Sequence, residues 1–382
     1  MTSRAERMDS VTISLLTVGA GDEVWSLYGH TAIRYRDRST GADLAINYGA
    51  FSFEQPFFAL RFVFGLTDYE MAIFPMSLFM QIYKDEEHRW VLQQDLNLTV
   101  QEKQKITNAL YENYLPSNRT YRYNYFYDNC TTRARDIILL YLNNIRYNTN
   151  QQQVAPSYRE MTHQWNENHR WMRFGNDLLL GIKADFPTTH IQRQFLPDSL
   201  RKDFESIHTV DENGKEIPLI SKSFYLITPQ EIENNATSSE TITPRIVFVL
   251  LFVMILLLTA LGWYKHCSLW ILDTVLLTVT GLAGLVLFVM IFSKHPTVQI
   301  NLQILLLNPL SLLFLYPTIK AERKSQCYFY WKILTVCLVL MLAGAIFQDY
   351  AEGIIFLALS LLIRCIGNMY HRNMMFNTKS CT

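Results

Sequence analysis

Two kinds of hydrophobic pattern divide the chain. Before about residue 228, apolar residues occur in short stretches separated by polar turns, which indicates a globular domain of strands and helices. After Arg245 the apolar stretches are much longer and carry few charges, which indicates helices that cross a membrane. We therefore predict three parts: a domain over residues 1–228, a polar linker over 229–244 and a membrane domain over 245–382.

The N-terminal part combines strand and helix patterns, which predicts an α+β domain. Helical spacing predicts helices over Thr99–Asn113, capped by Thr99, and over Thr131–Leu142. Short helices are expected over 157–185, and Asp211–Gly214 has the composition of a hairpin turn. The predicted strands are Val11–Val18, Thr31–Tyr35, Asp43–Tyr48, Arg89–Leu96 and Tyr121–Tyr127.

The C-terminal part predicts an all-α membrane domain with five spans. The third of these spans is interrupted by Asn308 and Pro309, which do not continue a helix easily. The predicted spans are Ile246–Trp263, Leu269–Phe292, Leu302–Tyr316, Tyr330–Phe347 and Ile354–Ile363.

The distribution of charge predicts the orientation in the membrane. The chain has 34 basic and 34 acidic residues, so it has no basic excess that would favour a nucleic-acid partner. Basic residues cluster after the third and fifth spans, over 318–324 and in the tail, whereas residues 348–353 have none. Because basic loops stay in the cytoplasm, we expect a multi-pass membrane protein with its N-terminal domain outside the cytoplasm and its C-terminus inside.

This orientation requires an export signal, and the polar residues 1–10 do not form one. We expect that the signal was removed or lies upstream of this start. The alternative is an inverted orientation, with the N-terminal domain in the cytoplasm.

An aromatic and methionine-rich segment lies within the N-terminal domain, over Pro56–Tyr83. It has two interpretations: an ordinary hydrophobic core, or a surface that contacts lipid headgroups or acyl chains. Its few charges do not decide between them.

Cys130 is the candidate nucleophile. It is the only cysteine in the first 266 residues, so it has no disulfide partner in this domain. It lies between a predicted strand and a predicted helix that Asp128 or Asn129 can cap. A helix start and the nearby Arg133 would favour a thiolate, and the free N–H groups there could hold an oxyanion. The alternative is an inert, buried thiol.

A thiolate mechanism also needs a base, and His30 is the best placed of the nine histidines. Gly29 precedes it and a predicted strand follows it. A third polar group should orient the imidazole, and Asn47 on the next strand is our choice. Tyr48 faces the other way in a regular strand, so only one of the two can serve. Neither a metal-binding spacing nor a phosphate or dinucleotide motif is present, so no cofactor is expected.

Three motifs resemble a known family. They read Gly-His-Thr-Ala-Ile-Arg over Gly29–Arg34, Asn-Tyr-Gly-Ala-Phe over Asn47–Phe51 and Tyr-Asp-Asn-Cys-Thr-Thr-Arg over Tyr127–Arg133. Together with the membrane spans that follow, they resemble the Lnb lipoprotein N-acyltransferases. The resemblance implies a permuted papain-like thiol domain in a cell-envelope enzyme that N-acylates the lipidated N-terminal Cys of bacterial lipoproteins. The polar N-terminus departs from the family pattern, since a signal segment is expected there.

The predicted reaction has two steps. Cys130, deprotonated by His30, attacks an ester of a membrane phospholipid, and the α-amine of a diacylglyceryl-Cys lipoprotein then takes the acyl group from the thioester. Asn47 is the predicted third catalytic residue. Residues that could contact substrate are Tyr48, Asn129 and Arg133 near the thiol, and His295 and Asn308 in the membrane domain. For the last two, helix packing is an equal alternative.

Two other classes of function use the same features. A membrane-tethered cysteine peptidase or amidase acting on the cell wall would need the same Cys and His, and would keep its activity after a cut in the linker. A non-enzymatic membrane scaffold would tolerate Cys130→Ala.

Overall fold

The chain forms two compact units, each built from two separated stretches. The computed structural model describes residues 8–23, 25–51, 56–147, 155–211, 213–231 and 241–379. The first unit comprises Met1–Trp165 and Pro187–Thr237, and the second comprises Asn166–Phe186 and Ser238–Thr382. Residues 166–186 lie within the predicted N-terminal domain, whereas in the structure they form part of the second unit.

Ten strands are described, all of them in the first unit. They are β1 (Val11–Val18), β2 (His30–Asp37), β3 (Ala42–Ala50), β4 (Asp68–Pro75), β5 (Val91–Leu96), β6 (Thr120–Arg122), β7 (Arg146–Tyr147), β8 (Ile207–Val210), β9 (Glu216–Pro218) and β10 (Ile220–Ile227).

The α-helices are numbered in chain order across both units. Those of the first unit and of the inserted segment are α1 (Phe58–Val63), α2 (Met76–Gln81), α3 (Val100–Tyr114), α4 (Cys130–Leu139), α5 (Tyr158–His163), α6 (Arg170–Leu179), α7 (His190–Arg193) and α8 (Pro197–Ser206). Those that follow are α9 (Pro244–Lys265), α10 (Trp270–Met290), α11 (Leu310–Leu313), α12 (Leu315–Glu322), α13 (Tyr330–Gly344) and α14 (Ile354–Lys379).

A seven-stranded antiparallel sheet forms the centre of the first unit, in the order β10-β5-β1-β2-β3-β4-β6. One face packs against α3, α4 and α8 around a core that includes Ile33 and Ile46. The other face packs against α2 around Ala32 and Ala45. Because successive strand residues point to opposite faces, a residue and its neighbour on β2 serve different layers. The predicted α+β fold is confirmed, while its relation to a permuted papain-like fold stays a prediction.

The strand predicted over Tyr121–Tyr127 is wrong beyond Arg122. The backbones of Asn124 and Asp128 instead hydrogen-bond to each other in both directions at 2.9 Å, which closes a tight turn. The alternating aromatic pattern suggested a strand, but the turn directs the chain into α4. The helix begins at Cys130 and is capped by Asn129.

Helix α3 begins as the sequence predicts, with Thr99 as its N-cap in a capping box with Glu102. The Glu102 side chain is fully buried. One of its oxygens accepts from the Thr99 N–H at 2.9 Å, and the other accepts from the Asn143 N–H, also at 2.9 Å. Glu102 therefore joins the start of α3 to the chain beyond α4.

One part of the aromatic and methionine-rich segment belongs to the core, and another part is exposed. Met71, Met76 and Phe79 are buried in the core of the first unit. Phe57 and Phe62, at α1, are 79% and 46% exposed. Strand β4 and helix α2 thus contribute side chains to the core, while the aromatic rings at α1 are exposed.

The second unit contains the apolar helices of a membrane domain. Among the described residues, α9 and α10 are long and apolar enough to cross a membrane. A broken span over Leu302–Leu313 and Leu315–Glu322, bent by 78°, makes a third if it is counted as one. Helix α13 and the apolar part of α14 are shorter. The third predicted span is thus bent at Phe314, five positions beyond Pro309, and the number five stays a prediction.

A buried ion pair lies inside the second unit. The Arg364 guanidinium, 3% exposed as a residue, donates to both carboxylate oxygens of the fully buried Asp273 at 2.7 Å. Thr259 and Asn368 complete this network. Such pairing lets ionisable groups persist among apolar helices.

The inserted segment joins the second unit through polar and aromatic contacts. Arg170 forms an ion pair with Glu352 at 2.8 Å, and Gln303 donates to the Asp177 carbonyl at 2.9 Å. The Phe174 ring packs against Phe248 with 5.4 Å between the ring centroids. The short helix predicted in this region is confirmed as α6, but its partners lie in the membrane domain.

Glu102→Ala should destabilise the first unit by about 1.5–3 kcal/mol, because it removes the buried carboxylate that accepts hydrogen bonds from the N–H groups of Thr99 and Asn143. Glu112→Ala is the matched control, since Glu112 is exposed on the same helix. Denaturant unfolding of the full chain in detergent, followed by tryptophan fluorescence, measures the difference. Equal unfolding midpoints for the two variants would contradict this role of Glu102.

Candidate active site

His30 and Asn47 meet on one face of the central sheet. His30 is the first residue of β2, and Asn47 of β3 lies opposite Ala32 in the register. A residue two positions from a direct cross-strand partner is a diagonal neighbour on the same face. His30 Nε2 accordingly hydrogen-bonds Asn47 Oδ1 at 3.0 Å. The imidazole therefore keeps Nδ1 for a second partner.

That second partner is Cys130, the first residue of α4. Its thiol is half-buried and forms a hydrogen bond and a charge interaction with the His30 ring. The Thr31 N–H also donates to the sulfur. The residues that the sequence selected as nucleophile, base and orienting group thus form one connected arrangement.

Two threonines connect the elements that carry His30 and Cys130. Thr31 follows His30 and Thr131 follows Cys130, and both are fully buried. Their hydroxyls hydrogen-bond to each other at 3.0 Å, and the Thr131 hydroxyl lies 3.8 Å from the Cys130 sulfur. This contact fixes the start of α4 against the start of β2.

Gly49 lies beside Cys130 and has a backbone conformation that favours glycine. It has a φ of +101° beside a break in the β3–β4 register, between Tyr48 and Ala50. A Cβ added there would lie 3.7 Å from the Cβ of Cys130. A bulge of this kind re-aims neighbouring groups and is common beside active sites.

The charges of the pair change both pKa values. Burial by itself would raise the pKa of the Cys130 thiol, but the His30 charge and the hydrogen bonds from His30, Thr31 and Thr131 lower it to about 7. Burial would lower the pKa of His30, but the charge and hydrogen bond of Cys130, with the bond to Asn47, raise it. Near neutral pH the site therefore favours a thiolate beside an imidazolium.

Arg133 does not supply the positive charge that the sequence analysis expected beside the thiol. Its guanidinium donates to both carboxylate oxygens of Asp128, at 2.6 and 2.9 Å. It also lies 3.6 Å above the Tyr121 ring. The carboxylate balances its charge, and the imidazolium of His30 is the main cation that acts on Cys130.

Asn129 is the helix cap and has no polar group left for a substrate. Its Oδ1 accepts from the N–H groups of Thr131 and Thr132 at 2.9 Å. Its Nδ2 donates to the carbonyls of Tyr125 and Phe195 at 2.8 and 2.9 Å. The prediction that Asn129 caps α4 is therefore confirmed, and its expected substrate contact finds no free atom.

Tyr48 faces away from Asn47, as strand alternation predicts. It is 2% exposed and packs edge-on against Tyr121. Burial raises its pKa to about 12, against the opposing charge of Arg133. This position makes Tyr48 part of the core beneath the site and gives a substrate no surface to touch.

The two candidates of the membrane domain have local partners in the second unit. Asn308 is 6% exposed, accepts from the Leu310 N–H at 3.0 Å and donates to the Cys337 sulfur at 3.7 Å. His295 is half-buried in the loop after α10. The contacts of Asn308 match the helix-packing alternative.

The comparisons with known proteins now bear on this site. Residues 2–164 match the family model described as the Lnb N-terminal periplasmic domain, and residues 236–374 match the model described as the Lnb transmembrane domain. The chain belongs to the Lnb family. Neither the curated proteins nor the solved structures gave a match. In this Lnb protein, His30, Asn47 and Cys130 all lie in the segment that matches the periplasmic domain, and the apolar helices lie in the transmembrane domain.

The rate at which iodoacetamide alkylates Cys130 should rise with pH through about 7 and then level off, because the thiolate is the reactive form. In His30→Ala the imidazolium is lost, so the pKa should return at least to the ordinary value of 9.0. Alkylation at pH 7 should then slow by about 50-fold. Peptide mass spectrometry resolves Cys130 from the other cysteines, and His208→Ala is the control. An unchanged pH profile in His30→Ala would refute the pairing.

Thr131→Val should destabilise the first unit by about 1–2 kcal/mol, since the buried Thr31 hydroxyl loses its partner. It should also move the alkylation profile of Cys130 to higher pH, because one hydrogen bond to the thiolate is lost. Thr131→Ser keeps the hydroxyl and should keep the profile. Identical profiles for the valine and serine variants would contradict the contribution of the hydroxyl to the thiolate.

Proposed function

We propose that this Lnb protein is a lipoprotein N-acyltransferase that uses Cys130 as its nucleophile, His30 as its base and acid, and Asn47 as the group that orients His30. The observation that carries the proposal is the hydrogen-bonded series from Asn47 through His30 to Cys130. Family membership supports a protein of lipoprotein processing, with a periplasmic and a membrane domain. A nucleophile, a base and an orienting group are the parts that covalent acyl transfer needs.

In the first half-reaction, the Cys130 thiolate attacks an ester carbonyl carbon of a membrane phospholipid. The carbonyl π electrons move to oxygen and then return as the bond to the glycerol oxygen breaks. His30, as imidazolium, donates its proton to that leaving oxygen. The products are a thioester on Cys130 and a lysophospholipid.

In the second half-reaction, the α-amine of a diacylglyceryl-Cys lipoprotein attacks the thioester carbonyl. The neutral His30 now accepts the proton of the amine, and the thiolate of Cys130 leaves. Asn47 keeps the imidazole in one orientation throughout, so the same ring serves as acid and as base. The two proposed half-reactions use no metal or cofactor.

The membrane domain keeps the enzyme at the surface where both substrates reside. We place the protein in the inner membrane as a multi-pass protein with the thiol domain on the periplasmic side. The basic segments after the third and fifth predicted spans support this orientation. His295 and Asn308 stay candidates for contact with lipid in the membrane domain.

A direct test is the acyl adduct. The full chain in nanodiscs is incubated with phospholipids carrying isotope-labelled acyl chains, and the Cys130 peptide is examined by mass spectrometry. We expect the mass of one acyl chain on Cys130, released by hydroxylamine as a thioester is. Addition of a diacylglyceryl-Cys peptide should move the label to its α-amine. Cys130→Ala should abolish both events, because no other group on the proposed path can form a thioester.

The matched control is Cys337→Ala, which removes another free thiol outside the proposed site. Absence of an adduct with any lipid, together with an active Cys130→Ala variant, would refute the thioester. Cleavage of cell-wall peptides without acyl transfer would favour the peptidase or amidase. A Cys130→Ala variant that keeps every cellular role of the protein would favour the scaffold.

A further inference from the structure

We propose that the hydroxyl of Tyr121 is a further catalytic group, which together with the Cys130 N–H holds the oxyanion formed when Cys130 attacks a carbonyl. This inference rests on the proposed function for its thioester chemistry and adds to it the group that stabilises the transition state. Tyr121 lies on β6, nine positions before the nucleophile. The sequence analysis gave it no role.

The start of α4 cannot hold an oxyanion with all of its free N–H groups. Asn129 Oδ1 occupies the N–H groups of Thr131 and Thr132 at 2.9 Å each. The Cys130 N–H, at the first helical position, has no partner among the described residues. One backbone donor therefore remains beside the sulfur, and acyl-transfer sites ordinarily present more than one.

Tyr121 supplies an unused donor close by. Its side chain is 6% exposed, and its hydroxyl has no hydrogen-bond partner within the part of the chain that the structure describes. A buried hydroxyl without a partner costs about 1–3 kcal/mol, so its retention needs a reason. A ligand that supplies the acceptor during the reaction is such a reason.

The missing side chain of Gly49 leaves a small space between this donor and the nucleophile. A Cβ built on Gly49 would lie 3.7 Å from the Cβ of Cys130 and 3.9 Å from the Tyr121 hydroxyl oxygen. The Tyr69 ring, also at 3.9 Å, forms the third wall. The Tyr121 hydroxyl and the Cβ of Cys130 thus border one space of about the size of a methyl group, which suits the oxygen of a tetrahedral intermediate.

The surroundings of Tyr121 keep it a hydrogen-bond donor. Burial and the negative charge of Cys130 raise its pKa well above the ordinary value, so the phenol stays protonated. The Arg133 guanidinium lies 3.6 Å above the ring, where it withdraws electron density and holds the ring in place. Asp128 fixes that guanidinium in turn. In this proposal Arg133 positions and polarises Tyr121, and it does not act on the thiol.

In the proposed step, the thiolate of Cys130 forms a bond to the carbonyl carbon and the π electrons move to the carbonyl oxygen. The Tyr121 O–H and the Cys130 N–H donate hydrogen bonds to this oxyanion and keep their protons. When the carbonyl reforms, the alcohol oxygen leaves and takes the proton of His30. No proton of Tyr121 is transferred.

The test compares two reactions of the same sulfur. Acylation of Cys130 by p-nitrophenyl butyrate passes through an oxyanion, whereas alkylation by iodoacetamide is a direct displacement and does not. Tyr121→Phe in the full chain in detergent should slow the pre-steady-state release of p-nitrophenolate by about 100-fold. Its alkylation rate should stay within twofold of the wild type across pH 6–9.

Tyr158→Phe is the matched control, because Tyr158 is also buried but packs against Phe126 and Phe195. It should leave both rates unchanged. Equal slowing of acylation and alkylation in Tyr121→Phe would mean that the tyrosine acts through the thiolate or the fold, and would overturn the proposal. An unchanged acylation rate in Tyr121→Phe would also overturn the proposal.

Failure of the proposed function has a different signature. A wild-type chain that is acylated by the ester in a Tyr121-dependent way, but passes no acyl group to a lipoprotein amine, would refute the acyltransferase and keep the oxyanion role. A wild-type chain in which Cys130 is never acylated would overturn both.

Discussion

The charge pair of Cys130 and His30 is the constraint on which the candidate site of the first unit depends. A thiolate in a largely buried position is costly unless an opposite charge and hydrogen-bond donors face it. The structure supplies the charge from the first residue of β2 and the donors from the Thr31 N–H and the Thr131 hydroxyl. A shift of the strand relative to the helix would therefore remove the cation and a donor from the sulfur together.

The elements that hold this pair are among the most firmly connected of the first unit. Strand β2 is paired on both sides within the central sheet, and α4 packs on that sheet with Ala134 and Ile138 in the core. The cap of Asn129 fixes the first turn of the helix and, through Tyr125 and Phe195, ties it to two further segments. Reacting groups held by strands and a capped helix are placed more accurately than groups on loops.

The fold and the central residues of the site were accessible from the sequence because they depend on local patterns. Alternation in β1, β2 and β3 and the capping residues of α3 and α4 are short-range signals, and they also indicated His30, Asn47 and Cys130. The contact between Thr31 and Thr131 joins residues 100 positions apart, and only the register and the helix position bring them together. The one available signal was that each threonine directly follows a catalytic candidate.

Some side chains with a predicted role in the site have competing partners in the structure. Nearness in sequence suggested that Arg133 acts on the thiol, but Asp128 and the Tyr121 ring offer the guanidinium better contacts. The polar character of Asn129 suited both a cap and a ligand contact, but its Oδ1 caps the helix and its Nδ2 donates to the carbonyls of Tyr125 and Phe195. In the membrane domain, Asn308 and Pro309 indicated an interrupted third span, but hydropathy gave no signal for the 78° bend that lies between Leu313 and Leu315.

The path of the chain between the two units determines what a cut in the linker would separate. It leaves the first unit after Trp165, returns at Pro187 and leaves again after Thr237. A single cut between Pro229 and Pro244 would consequently leave α6 attached to the N-terminal half, with apolar side chains such as Phe174 deprived of the core against which they pack. The N-terminal half would keep its own core, whereas the C-terminal half would lose the α6 side chains that cover its core.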